Sequence, residues 1–212
     1  MTSSYEKSRF TFDKRRAKLW SALWRYYFRF EISDDSTVID LGAGYCDFIN
    51  SVKSDRKIAI DINPDIRKYA DKNVETIVGP VTDLSAIHDK KIDYAFASNL
   101  FEHISQDELA SLLEQLKKKL NQNGRLTLLQ PNYRYAFKEY FDDYTHITIY
   151  SHISMCDFLT ANGFEVLSCK PKFLPLSIKS KLPVADFLIR LYLLLPIKPF
   201  GKQMLISAKV SR

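Results

Sequence analysis

Asp40 closes an apolar run, Val38-Ile39-Asp40-Leu41, and Gly42 and Gly44 follow it at once. Glycines at that spacing let the backbone come close to a bound molecule, because they lack a Cβ and accept left-handed conformations. Asp61 ends a second apolar run about twenty residues on, the spacing of an acid that grips a ribose. Further along stand His103, in Asn99-Leu100-Phe101-Glu102-His103, and a crowded Asp142-Asp143-Tyr144-Thr145-His146. An unperturbed imidazole titrates near ~6.5, so a histidine can take up a proton at neutral pH. His146 is the first candidate for a catalytic base and His103 the second. Asp142, Asp143 and His146 could hold a metal. Ligands on one short loop without a second histidine make a thin set, and no metal is expected.

Those groups need a frame. Apolar runs at 38–41, 57–60, 75–78 and 92–97 and the run "RLTLLQ" read as buried strands. Helices are expected from about Tyr45 and from Pro64. "SQDELASLLEQLKKKLNQNG" is a helix with Ser105 as cap, Glu108 as its capping-box partner and Gly124 as stop. Its leucines 109, 112, 113, 116 and 120 keep the helical period. An aromatic-rich loop, a helix over 153–161, the strand "FEVLSC", a proline-punctuated segment and a last strand "QMLISAKV" complete the chain. Strands alternating with helices predict an α/β fold, a Rossmann-like doubly wound sheet of seven mostly parallel strands. Ligands of such sheets sit beyond the carboxyl ends of the strands, at the switch beside the first one. A single domain is expected: 1–35 an N-terminal basic helix, 36–170 a cofactor-binding core, 171–201 an extension, and 202–212 the final strand.

The 212 residues are 46% hydrophobic and 26% charged, with a net charge of +6 that favours anionic partners. Cys46, Cys156 and Cys169 are scattered, with neither a disulfide framework nor metal-ligand spacing, so reduced cytosolic thiols are expected. The opening stretch has no apolar leader, and no uncharged run reaches the ~20 residues of a membrane span. The expected location is cytoplasmic, with a peripheral place on the inner face of the membrane as an extension of it.

Three cofactor classes could use the glycine loop. A P-loop needs Gly-Lys-Ser/Thr, and "GAGYCDF" has no lysine. A dinucleotide site needs a third glycine where this chain has Asp47, whose charge would face the pyrophosphate. What remains is a cofactor with positive charge and no phosphate. S-adenosylmethionine fits, with Asp40 holding its ammonium directly or through water. "VIDLGAGYCDFIN" resembles the first motif of class I S-adenosylmethionine-dependent methyltransferases, and the remaining motifs follow in order from 36 to 167 and in the final strand. The resemblance implies that Asp61 in "IAIDINPD", with Ile62 beside it, binds the ribose. It implies that Val81, Thr82 and Asp83 in "IVGPVTDLS" serve the adenine, although Pro80 stands where the family has an acid. It places Asn99, in "SNLFEH", at the exit of the fourth strand. Cys46 occupies the position of the family's third small residue.

In the first helix Lys14, Lys18, Arg25 and Arg29 fall on one side and Leu19, Trp20, Leu23, Trp24 and Tyr27 on the other. That is either an interfacial membrane helix or a helix packed on the domain and lidding the cofactor. The extension holds "VADFLIRLYLLLP", apolar almost all round, with Asp186 and Arg190 spaced as an i,i+4 pair and Lys179, Lys181, Lys198 and Lys202 at its rim. It must bury against its own domain, a second subunit (a homodimer through 171–201) or a membrane surface. The expected activity is O-methylation, because the aromatic Asn/Asp-Pro-Pro signature of nitrogen methylators is absent. The chain is similar to methyltransferases of bacterial surface-polysaccharide synthesis, which implies a sugar hydroxyl on a glycan or lipid-linked precursor. Rival readings are a lipid or quinone-like acceptor, an RNA acceptor argued only by charge (no nucleic acid is expected), and a non-catalytic partner that binds the cofactor.

Overall fold

A computed structural model describes residues 14–175 and 185–211. Its strands are β1 (Thr37–Leu41), β2 (Arg56–Asp61), β3 (Val74–Val78), β4 (Ile92–Ser98), β5 (Leu120–Pro131), β6 (Phe164–Leu174) and β7 (Gln203–Val210). They form one seven-stranded sheet in the order β3-β2-β1-β4-β5-β7-β6. β1 to β5 pair in parallel, and β7 is inserted antiparallel between β5 and β6. The chain works outward from β1 to β3, then crosses back to lay β4 on the other side of β1. That crossing opens a crevice at the ends of β1 and β4.

The helices are α1 (Lys14–Tyr26), α2 (Asp47–Ser51), α3 (Ile66–Tyr69), α4 (Gln106–Lys119), α5 (Tyr133–Ala136), α6 (His152–Ala161) and α7 (Asp186–Leu194). Val38, Ile39 and Leu41 are all fully buried, as expected of a parallel strand covered on both faces. On one face Leu109, Leu112, Leu113 and Leu116 of α4, with Met155 and Leu159 of α6, pack on the sheet. On the other, Trp20, Leu23 and Trp24 of α1 meet Phe48 of α2 and Phe96 of β4.

The capping box at Ser105 and Glu108 forms as expected. Gly124, however, does not stop that helix. α4 ends at Lys119, and Leu120 already pairs with Ile92 in the sheet. Gly124 lies inside β5, where a Cβ would come within 2.8 Å of the Ile92 carbonyl oxygen. A close backbone approach, not a helix end, requires it.

The first helix is a packed one. Its apolar side, Trp20, Leu23 and Trp24, is packed into the domain core. Arg16 of α1 pairs with Asp47 at 2.9 Å, and its guanidinium lies over the Tyr45 ring, so α1 covers the turn behind the glycine loop. The expected Asp186–Arg190 pair is replaced: Asp186 takes Arg25 at 3.1 Å and the Tyr26 hydroxyl, while Arg190 lies over the Tyr26 ring. α7 is thereby fastened to α1. Lys179 and Lys181 lie outside the described residues. Among the described residues no helix is long and apolar enough to cross a membrane.

Candidate active site

The loop from β1 to α2 alternates left-handed residues: Gly42 at φ +68°, Gly44 at +51° and Cys46 at +58°. A Cβ on Gly42 would meet Leu100 Cδ1 at 2.9 Å. Leu100 follows β4, so the two strand ends close on each other here. Cys46 accepts the roughly 1–2 kcal/mol that a left-handed residue with a side chain costs. Its thiol is fully buried, and burial and the charges of Asp40 and Asp61 push its pKa up to about 12. It is a neutral filler.

Asp61 binds the loop together. Its Oδ2 accepts the Gly44 N–H at 2.8 Å and its Oδ1 accepts the Asn63 N–H at 2.8 Å. Gly42 and Ala43 in turn donate to the Ile60 carbonyl at 2.9 and 3.1 Å. Asp40 is 3% exposed, beneath the loop. Burial first, and then the charge of Asp61, raise its pKa well above the usual carboxylate range. With Asp47 in the same turn, the site gathers carboxylates where a phosphate-binding loop would gather positive charge. Its donor set therefore suits a cationic ligand with a diol, which is what S-adenosylmethionine offers. Ile62, 60% exposed, presents an apolar surface beside Asp61.

The 81–84 turn is pinned from α4. Gln115 donates through Nε2 to the Thr82 carbonyl and accepts the Leu84 N–H at 2.8 Å. Val81 turns its side chain into the core, so only its backbone faces outward. Asp83 is exposed and accepts the Ser85 N–H at 3.0 Å; the Ser85 hydrogen bonds hold its carboxyl below the usual range. Asn99 adopts φ +49°, and its Oδ1 accepts from Gln203 Nε2 at 2.8 Å. Gln203 begins β7. Nothing in its local sequence marks it as part of this mouth.

Directly after Leu100, the 3-10 turn Phe101–His103 meets the loop 140–148. The amides of Ile147 and Thr148 both donate to the Glu102 carbonyl, at 2.9 and 3.2 Å, and the Thr148 hydroxyl donates to the Ile104 carbonyl at 2.7 Å. Tyr140 donates to the Thr148 carbonyl at 2.5 Å. This lacing sets the His103 and His146 rings edge to face at 4.8 Å, with Tyr140 4.7 Å from His146. Burial and the nearby His146 hold His103 below its ordinary pKa. His103 Nδ1 lies 3.2 Å from the Thr145 carbonyl and 3.0 Å from the Thr145 hydroxyl, which donates to Asp143 at 2.6 Å. Asp143 thereby reaches His103 through the Thr145 hydroxyl. Glu102, which the sequence reading passed over, is fully buried with neither carboxylate oxygen hydrogen-bonded, and burial pushes its pKa up to about 8. Asp142 is exposed, as is His88, while His152 is engaged by Asn132 at 3.0 Å and stacks on Tyr135.

The site residues thus fall into two groups on one crevice, a carboxylate-and-glycine end at β1 and β2 and a histidine end after β4. No curated protein sequence matches the chain. Solved structures share the fold. A S-adenosylmethionine-dependent methyltransferase from Archaeoglobus fulgidus is 23% identical, with a TM-score of 0.69 and 96% of each chain covered. A counterpart from Aquifex aeolicus is 18% identical, with a TM-score of 0.65 over 98% of this chain and 97% of that one. The structure of the Haloferax volcanii Trm112 methyltransferase activator with a putative methyltransferase is 16% identical, with a TM-score of 0.69 over 99% and 95%. A family model described as methyltransferase domain matches residues 12–169. The chain belongs to that family, and it is an S-adenosylmethionine-dependent methyltransferase with the Rossmann-like fold.

Proposed function

We propose that the enzyme methylates a hydroxyl oxygen, on a sugar of a glycan or a lipid-linked precursor. The observation that carries the oxygen reading is the imidazole pair His103–His146, held 4.8 Å apart beside the residue that packs on the glycine loop. When bound, S-adenosylmethionine supplies an electrophilic methyl on a sulfonium. Asp61, Ile62 and the backbone of Val81 and Thr82 hold its nucleoside end, with Asp83 and Asn99 at the rim. Gly42 and Gly44 give the methionine end room, and the Asp40 carboxyl lies beneath them, where the cofactor's ammonium would favour its ionised form. This placement supplies alignment, the larger share of what such a reaction needs. A hydroxyl is a poor nucleophile until its proton starts to leave, and the histidine end is where this chain can ease that departure.

Exposed Phe137, Phe141 and Tyr144 flank the same loop and offer flat apolar faces, with the Tyr144 hydroxyl as a polar tip, suited to a sugar ring. Incubation with labelled cofactor and a cell-envelope extract is expected to label an O-methyl sugar. Label in RNA or in a quinone would overturn the acceptor assignment.

A lipid-linked acceptor implies a lipid-facing surface. α7 leaves Phe187, Leu191 and Leu194 bare along one side, continued by Ile197 and Phe200, on a chain of net charge +6. We assign that side, rather than α1, to an anionic membrane face. The purified protein should co-sediment with anionic vesicles, less so at high salt because exposed charges are screened. Equal indifference to anionic and neutral vesicles would transfer the surface to a protein cover, either a second copy or an activator of the kind bound to the Haloferax volcanii neighbour.

A further inference from the structure

We propose that Glu102, His103 and His146 form a binding site for one divalent transition-metal ion at the histidine end of the crevice. Each residue offers a ligand atom, and these atoms lie within 4.8 Å of one another. Two come from one turn after β4 and the third from the loop after β5, so the set is invisible to a search for local spacing. The separation exceeds a hydrogen bond, but an ion with bonds of about 2.0–2.2 Å reaches across such a gap after a small inward movement of the rings.

Glu102 gives the second, independent reason. Its side chain is 0% exposed, and both of its oxygens lack a hydrogen-bond donor. A buried carboxyl so placed either stays protonated with both oxygens unpaired or is met by a cation. Its backbone carbonyl is bonded twice, by the amides of Ile147 and Thr148, so the turn that aims the side chain is fixed by design of the lacing rather than left to chance.

His103 is set up as a ligand. Its Nδ1 faces the Thr145 carbonyl, which can only accept, and the Thr145 hydroxyl, whose hydrogen goes to Asp143. Nδ1 must therefore carry the hydrogen, which leaves the Nε2 lone pair for a metal. This outer bonding to a carbonyl is how ligating histidines are usually oriented. The two imidazoles are half-buried, so the site is partly open to solvent. Two nitrogens and one carboxylate oxygen suit ions from manganese to zinc better than magnesium or calcium, which take oxygen ligands. Three protein ligands leave positions for water or for a substrate oxygen.

The catalytic use of the ion rests on the O-methylation reading above. A coordinated acceptor hydroxyl loses its proton to water more readily. Its oxygen then forms the new bond to carbon while the carbon–sulfur bond breaks, and the electron pair stays on the neutral thioether. His146 is then a ligand instead of the free base expected from sequence.

Titration of Co2+ into chelator-treated protein, followed by visible absorption and calorimetry, tests the site without any acceptor. Saturable one-to-one binding is expected, weakened at least tenfold in Glu102→Gln and in His146→Ala. Thr145→Val should cost roughly 10–100-fold, the usual worth of an outer-shell partner. Titration of S-adenosylhomocysteine into the same variants is expected to be unchanged, which shows them folded. Absence of saturable binding to the wild type, or binding equal in wild type, Glu102→Gln and His146→Ala, overturns the proposal. Loss of S-adenosylhomocysteine binding by the wild type would instead strike the cofactor reading and leave the Co2+ result to stand.

Discussion

The two ends of the crevice are built by different means. At the β1–β2 end the bonds run between a carboxylate and backbone amides close by: Asp61 to Gly44 and Asn63, and the Ile60 carbonyl to Gly42 and Ala43. At the histidine end they run between segments some forty residues apart, Glu102 to Ile147 and Thr148, Ile104 to Thr148, and His103 to Thr145. The first end makes a cradle of backbone that any chain with two glycines and two acids can form. The second makes a cluster of side chains that exists only once a loop has been laced to a turn. Cofactor binding and acceptor activation should therefore be separable by mutation.

The largest separation is expected at His146. His146→Ala should lower turnover by roughly 10²–10⁴ and leave cofactor affinity nearly unchanged. Because the structure puts both rings in one cluster, His103→Ala should cost a comparable factor, more than the sequence ranking implied. Near-normal turnover in both variants would reduce this end to a surface for the acceptor. Asp61→Ala should act the opposite way. It removes hydrogen bonds to a charged group worth about 1.5–3 kcal/mol each, so calorimetry should show affinity for S-adenosylhomocysteine falling well over tenfold. Undiminished affinity in a folded variant would take Asp61 out of the site. Gln203→Ala probes the seam between the ends. The lost bond to Asn99 is an ordinary neutral one, about 0.5–1.5 kcal/mol, and a severalfold change in affinity is expected. Smallest of all is Cys46→Gly: relief of a left-handed residue offsets the loss of a buried thiol, so the melting temperature should stay within a few degrees.

The comparison also explains what could be read from sequence. Strand runs at 38–41 or 92–97 are apolar because both faces of the sheet are covered, and that burial is written directly into composition. The turn that Gly42, Gly44 and Asp61 build together was legible because it needs fixed residue types at fixed spacing. Glu102 was not, since nothing in "NLFEHIS" says that its carboxylate is buried beside a histidine from the next loop. An acid adjacent to His103 was the only signal. Gln203 carried none at all. The first helix stayed open between two readings for a related reason. Trp20, Leu23 and Trp24 form the same stripe whether a bilayer or a protein core receives them, and only the receiving surface of Phe48 and Phe96 decides. Gly124 was misread because a glycine after a leucine-rich helix looks like a stop, whereas the constraint comes from the neighbouring strand.

The position of β7 has a consequence for synthesis on the ribosome. β6 pairs with β7 alone, and β7 separates it from β5. Until residues 203–210 emerge from the exit tunnel, β6 has no strand to join, β5 presents an open edge, and Asn99 waits for a partner 104 positions downstream. The cofactor cradle, complete in sequence by Asn63, can form early on the nascent chain. The finished mouth cannot, and a chain cut before Gln203 would carry the cradle without the wall that closes it.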